Sequence, residues 1–110
     1  MRHEARILTE SRHAPHLIDV ELLQALRRLT LADVLDRSIA QAALADFRAA
    51  SLARHAHEIL MDRAWELRTS VSAYDAMYIA LAEALDVPLL TCDAKLSRSH
   101  GHRARIELLT

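Results

Sequence analysis

Three acidic side chains stand where the predicted elements of the chain could bring them together. Glu21 lies at the edge of the apolar face of a predicted helix, where a carboxylate is costly unless it is paired, hydrogen-bonded or bound to a metal. Asp75 falls in the first turn of the most apolar predicted helix, and Asp93 follows a short apolar strand. Because ligands gather at the carboxyl ends of parallel strands, these acids could converge at one edge of a sheet.

Each of the three acids also has an ordinary structural explanation. Glu21 could extend into solvent or pair with an arginine of its own helix. Ser72 and Asp75 match a capping box, and an acid in the first turn of a helix interacts favourably with the helix dipole. Asp93 could be a plain N-cap for the turn that follows it. Taken one at a time, the residues leave both interpretations open.

Convergence of the three carboxylates would favour a metal site. Clustered carboxylates repel one another, and a hard divalent cation relieves that repulsion. Mg²⁺ prefers oxygen ligands, keeps several waters and binds through few carboxylates together with substrate phosphate. Such an ion activates water and stabilises the leaving oxygen of a phosphodiester. Glu21, Asp75 and Asp93 therefore predict a site for Mg²⁺ or Mn²⁺.

The seven histidines offer a competing metal site. His55 with His57 and His100 with His102 are pairs separated by one residue. They lack thiolate companions, and the sequence contains no HExxH motif, so we interpret them as scattered surface histidines and not as a zinc site.

Composition limits the class of protein. The 110 residues suit one domain, 52% of them are apolar, and the aromatic fraction of 4% predicts a core of aliphatic side chains and mostly helices. A net charge of −1 argues against a protein that coats nucleic acid through phosphate contacts, but not against an enzyme that meets it at one site. Cys92 is the only cysteine, so we expect a reduced, cytoplasmic setting. No signal peptide or membrane span is predicted.

The elements that must position the acids follow from hydrophobic periodicity. We predict helices over residues 16–29, 30–50 (started by a capping box of Thr30 and Asp33), 63–68 and 73–85, with strands over 54–60, 89–91 and 105–109 and a turn over 94–98. We expect core positions for Trp65, Tyr74, Met77 and Tyr78. The order predicts an α/β layered domain with a small parallel sheet.

Three stretches resemble the PIN-domain ribonucleases of the VapC toxin type. Residues 13–21, HAPHLIDVE, are similar to the family's helix with its second acid, here Glu21. Residues 72–82, SAYDAMYIALA, resemble the helix with the third acid, Asp75, and residues 89–96, LLTCDAKL, the motif of the fourth, Asp93. The resemblance covers roughly residues 12–110.

The resemblance implies a single PIN-like three-layer domain over residues 1–110, with mostly helical content and a small parallel sheet. It also implies a magnesium-dependent endoribonuclease toxin that cuts structured RNA, forms a dimer and is held by a cognate antitoxin occupying the site. Glu21, Asp75 and Asp93 would be its catalytic metal ligands, and Thr91 would help to position them.

The sequence departs from the family at its start. The family begins with an apolar strand ending in aspartate, and that strand lies centrally in its sheet. Nothing before Pro15 resembles it, no aspartate precedes Asp19, and residues 5–8 look like the tail of the following helix. The N-terminal strand is therefore expected to be missing. The alternative function is a catalytically impaired remnant that binds an antitoxin or itself.

Overall fold

The computed structural model describes residues 12–109, so the interpretation of residues 5–8 as the tail of a helix lies outside the described residues. The elements in chain order are β1 (His13–Pro15), α1 (Ile18–Leu31), α2 (Arg37–Ala49), β2 (Ala53–His55), a 3₁₀ turn (Glu58–Leu60), α3 (Met61–Glu66), α4 (Ala73–Leu85), β3 (Leu89–Thr91), α5 (Ala94–Ser97) and β4 (Ile106–Leu108). This is the mixed α/β arrangement that the sequence predicts. No helix in this part of the chain is long and apolar enough to cross a membrane.

Helix α4 forms the centre of the core. Ala76 and Ile79 are fully buried, and they pack with Ala64 of α3, with Leu67 just after that helix and with Leu96 of α5. The helix begins after Ser72 and ends at Asp86, which takes a left-handed conformation that an L-residue other than glycine adopts only locally. The prediction of a buried helix over residues 73–85 is confirmed.

The first two helices are separate, and the predicted capping box between them is wrong. The Thr30 hydroxyl donates back to the carbonyls of Leu26 and Arg27, so it does not cap a following helix. Asp33 has a φ of 57°, which breaks the helical path, and α2 begins only after Asp36. Local hydrogen bonding to the preceding turn therefore competes successfully with the capping role.

The aromatic side chains are more exposed than the sequence predicts. Trp65 and Tyr74 are 67% and 66% exposed, so their predicted core positions are wrong. Tyr78 is half-buried, and Met77 packs against the core. The short helix α3 turns Ala64 inward and leaves Trp65 on its outer side.

The strands form two separate pairs. β1 pairs in parallel with β2, and β3 pairs in parallel with β4; within residues 12–109 no ladder joins the two pairs. Strand β1 is not predicted by the sequence, because three residues ending in proline carry little strand signal. The predicted strand over 54–60 is wrong beyond His55, since a 3₁₀ turn follows it.

A cleft of about 270 Å³ separates the two sheets. Residues of β1 and β3 line it, together with apolar side chains such as Ile18 and Leu52, and α4 contacts both strands. The Arg12 carbonyl and the His16 amide, which flank β1, are hydrogen-bonded to β2. Successive residues of a strand point their backbone groups to opposite sides, so those of His13 and Pro15 point away from β2. Within residues 12–109 no strand lies between β1 and β3.

An ion pair with a buried carboxylate ties α4 to its neighbours. The Glu83 side chain is 2% exposed, and both its carboxylate oxygens accept hydrogen bonds from Arg63, at 2.7 and 3.0 Å. The backbone amide of Arg103 donates to the same carboxylate at 2.9 Å. These bonds, chiefly that from Arg63, lower the pKa of Glu83 to about 2, so the carboxylate stays ionised and holds the approach to β4 against α4.

Candidate active site

Asp93 sits just beyond the carboxyl end of β3 and caps α5. Its Oδ1 accepts hydrogen bonds from the backbone amides of Lys95 and Leu96, at 2.9 and 3.3 Å. Its own amide donates to the hydroxyl of Thr91 at 3.0 Å, which fixes the turn out of the strand. Because both capping bonds use Oδ1, the other carboxylate oxygen remains available. Capping and ligand binding are therefore compatible at Asp93.

Asp75 occupies the first turn of α4, but only half of the predicted capping box is formed. The Ser72 hydroxyl accepts a hydrogen bond from the Asp75 amide at 3.1 Å. The reciprocal bond, which the Ser72 amide would donate to the Asp75 carboxylate, is absent, and between residues 12 and 109 this carboxylate has no hydrogen-bond or ion-pair partner. The cap therefore belongs to Ser72, and the acid group of Asp75 is left for another role.

Asp75 and Asp93 line the same open groove, of about 560 Å³. They are 18 positions apart in the sequence, and the end of β3 and the start of α4 bring them to this common surface. Three permanent cations line the groove as well: Arg68, Lys95 and Arg98. Carboxylates that can hold a divalent ion, next to cations that can hold phosphate, suit a phosphodiester substrate.

Glu21 does not line this groove, but it is joined to the helix that carries Asp75. Its Oε1 accepts a hydrogen bond of 2.5 Å from the hydroxyl of Tyr78. Tyr78 follows Asp75 by three residues, so the two lie on one face of α4. Burial, the bond to Glu21 and the charges of Glu21, Asp75 and Asp19 raise the pKa of Tyr78, which keeps the phenol protonated as a donor.

The predicted three-acid cluster is thus only partly assembled. Within residues 12–109 no three side chains of His, Cys, Asp or Glu converge closely enough to form a metal site. Asp75 and Asp93 share a groove, and Glu21 is linked to them through Tyr78. Tyr78, which the sequence predicts only as a core residue, is therefore also a site residue. Its spacing of three from Asp75 is the one signal of this in the sequence.

Three of the histidines make contacts around β1 and β2, whereas His100 lines the groove itself. The Nδ1 of His13 and the Nε2 of His55 lie 2.9 Å apart, which joins β1 to β2. The Nε2 of His57 accepts a hydrogen bond from the Leu17 amide at the start of α1. In the described part of the chain none of them belongs to a group of three metal ligands. These contacts organise the sheet edge around β1 and β2.

Comparison with known proteins places this geometry in a family. The PIN-domain family model matches residues 2–100. Ribonuclease VapC9 of Mycobacterium tuberculosis is 44% identical over 91 residues, which are 83% of this chain and 72% of the relative. Ribonuclease VapC12 of the same species is 36% identical over 104 residues, 94% of this chain and 81% of the relative. Ribonuclease VapC1, also of that species, is 44% identical over 98 residues, covering 88% and 74%.

Proposed function

This chain belongs to the PIN-domain family, and from that premise we propose that it is a metal-dependent endoribonuclease toxin of a toxin–antitoxin pair. The observation that carries the proposal is the groove, in which Asp75 and Asp93 lie among cations that suit a phosphodiester. The similar VapC proteins are ribonucleases by name. The alternative, a remnant that only binds, is not favoured, because it explains neither the relatives nor the groove.

The donor set of the groove suits Mg²⁺ or Mn²⁺. The carboxylate of Asp75 has no partner among residues 12–109, and Asp93 keeps one carboxylate oxygen free of hydrogen bonds. Hard divalent ions prefer such oxygens and complete their coordination with water and substrate phosphate. Asp75 and Asp93 would hold the ion, with Glu21 as the third acid. When bound, the ion supplies Lewis acidity and activates water for attack on phosphorus.

The remaining residues of the site position these acids. Thr91 fixes the Asp93 turn through its hydroxyl, and Tyr78 holds the Glu21 carboxylate toward α4. Because its phenol stays protonated, Tyr78 acts as a hydrogen-bond donor and not as a base.

The cations of the groove would hold RNA phosphates, and the same charges would draw a cognate antitoxin onto the site. We place this activity in the cytoplasm.

Metal-dependent RNA hydrolysis is the test of this proposal. The chain should cleave RNA in Mg²⁺ or Mn²⁺ and stop when EDTA removes the ion. Cleavage should be slow, since the family resemblance implies four acids and residues 12–109 supply candidates for three of them. RNA that stays intact with the chain, and with the lengthened chain considered in the Discussion, would overturn the nuclease assignment.

We also propose that two copies associate through the hairpin of α1 and α2. Helix α1 buries none of its residues, and its apolar side chains Val20 and Leu23 are 68% and 51% exposed. Ile39 of α2, the other helix of the hairpin, is 55% exposed. An amphipathic helix of a folded protein normally covers its apolar face. A second copy of the chain presents the same apolar face, so two copies can cover each other without another partner.

Sedimentation tests this assembly. The chain should be a dimer at micromolar concentration, and Leu23→Glu should weaken the dimer at least about tenfold, because it places an unpaired charge in the interface. Ile59→Glu is the matched control, since Ile59 is 78% exposed and lies outside the hairpin. A well-folded wild-type monomer at that concentration, or equal weakening by both substitutions, would contradict the proposed interface.

A further inference from the structure

An exposed tryptophan stands beside the groove that carries Asp75 and Asp93. Trp65, on the outer side of α3, is the only tryptophan of the chain and is 67% exposed. The guanidinium of Arg68 lies over its ring, 4.6 Å from the ring centre. Arg68 also lines the groove, so the indole ring lies next to the surface that carries the two aspartates.

Arg68 is held in place and keeps N–H donors for a further acceptor. Its Nη1 donates to the backbone carbonyl of Trp65 at 2.9 Å, which orients the guanidinium plane over the ring. A guanidinium carries five N–H donors, so most of them remain for another acceptor. Lys95 and Arg98 line the same groove, giving three permanent cations against two carboxylates. A polyanion running along the groove would therefore pass directly beside Trp65.

We propose that Trp65 and Arg68 form a stacking platform for an unpaired base of the RNA whose phosphates lie in the groove. The inference rests on the proposed function and adds a substrate class to it. Single-stranded RNA is recognised by stacking its bases on aromatic rings and on arginine planes, and bases in a duplex are not available for this. The platform therefore selects a loop, bulge or end of RNA close to the cleaved bond.

An alternative use of Trp65 is contact with a protein. Ile59 and Met61 are also exposed, at 78% and 58%, and they lie close to Trp65 in the sequence. A protein partner would use these apolar side chains, but the phosphate-binding cations of the adjacent groove would then have no role. The cation over the ring and the charged groove next to it favour the nucleic acid.

Fluorescence of the single tryptophan reports on this stacking directly. The Asp93→Asn chain, which should leave RNA intact, is titrated with a short oligouridylate and with an abasic oligonucleotide of the same phosphate number. The oligouridylate should quench Trp65, and the abasic strand should bind with much less quenching. Trp65→Ala should weaken oligouridylate binding about tenfold, as measured by anisotropy of a labelled strand. Met61→Ala is the matched control on the same helix and should bind as the parent does.

The outcomes separate this inference from the nuclease assignment. Equal quenching by the abasic strand, or unchanged affinity in Trp65→Ala, would overturn the stacking platform while leaving the groove intact. Weaker binding in both Trp65→Ala and Met61→Ala, or loss of self-association in Trp65→Ala, would assign the surface to apolar protein contact and also overturn it. A chain in which neither strand binds and no RNA is cut would instead remove the nuclease function on which the inference rests.

Discussion

Joining an apolar strand that ends in aspartate to the N-terminus, through a linker long enough for a parallel crossover, is expected to raise RNA cleavage about a hundredfold. The reason is the cleft between β1 and β3. A strand in the cleft would end at the edge of the sheet where Asp93 lies, and its aspartate would add a fourth acid to the site. Small displacements of a reacting group slow a reaction strongly, so an ion that is held more firmly should raise the cleavage rate by a large factor.

The same change should stabilise the fold. The backbone of His13 and Pro15 in β1 points away from β2, and that of Leu90 in β3 points away from β4. A central strand would bond to both edges and cover the apolar cleft, which we expect to add on the order of 3 kcal/mol to the free energy of unfolding. For a domain of this size the melting temperature should rise by about 10 °C.

A strand ending in asparagine separates the two effects. It should stabilise the chain as much as the aspartate version, because it fills the same cleft, but it should leave cleavage low. If neither version raises the melting temperature, the cleft does not accept a strand. If the asparagine version cleaves as fast as the aspartate version, the fourth acid has no role in the reaction.

In the lengthened chain, Asp93→Asn should lower metal-dependent RNA cleavage by at least about a hundredfold, with the melting temperature nearly unchanged. Asparagine caps a helix as well as aspartate, so the bonds to the amides of Lys95 and Leu96 can be kept. The substitution removes the charge that a divalent ion needs. Glu21→Gln should have an effect in the same direction, measured in the same cleavage assay.

Asp86→Asn is the matched control for Asp93→Asn. Asp86 has a φ of 53°, a conformation that asparagine also tolerates, and its ion pair with Arg105 is exposed. Loss of that exposed pair costs at most about 1 kcal/mol. Full cleavage should therefore remain in Asp86→Asn. Equal activity in Asp93→Asn and Asp86→Asn would show that Asp93 is only a cap.

The parts of the site that depend on neighbouring residues could be predicted from the sequence. Ser72 and Asp93 cap their helices through bonds to residues two or three positions away, and the apolar run 73–85 dictates a buried helix. Such features depend on spacing alone. This is why the positions of Asp75 and Asp93 in their elements follow the predictions.

The features that depend on contacts between distant residues could not be predicted from the sequence. The bond between Glu21 and Tyr78 joins residues 57 positions apart, and β1 is a strand only because β2 pairs with it in parallel. The exposure of Trp65 depends on which side of α3 packs against α4, and periodicity over a six-residue helix does not decide that. Tertiary packing, and not local preference, determines these three features.

Titration of the purified chain with Mn²⁺ in a calorimeter tests most directly whether Asp75 and Asp93 form a metal site. Wild type should bind the ion weakly. Asp75→Asn should weaken binding at least about tenfold, while the Ser72 cap keeps the helix intact and Asp86→Asn binds as wild type does. Identical Mn²⁺ binding by wild type and Asp75→Asn would contradict the account, since Asp75 would then serve only the start of its helix.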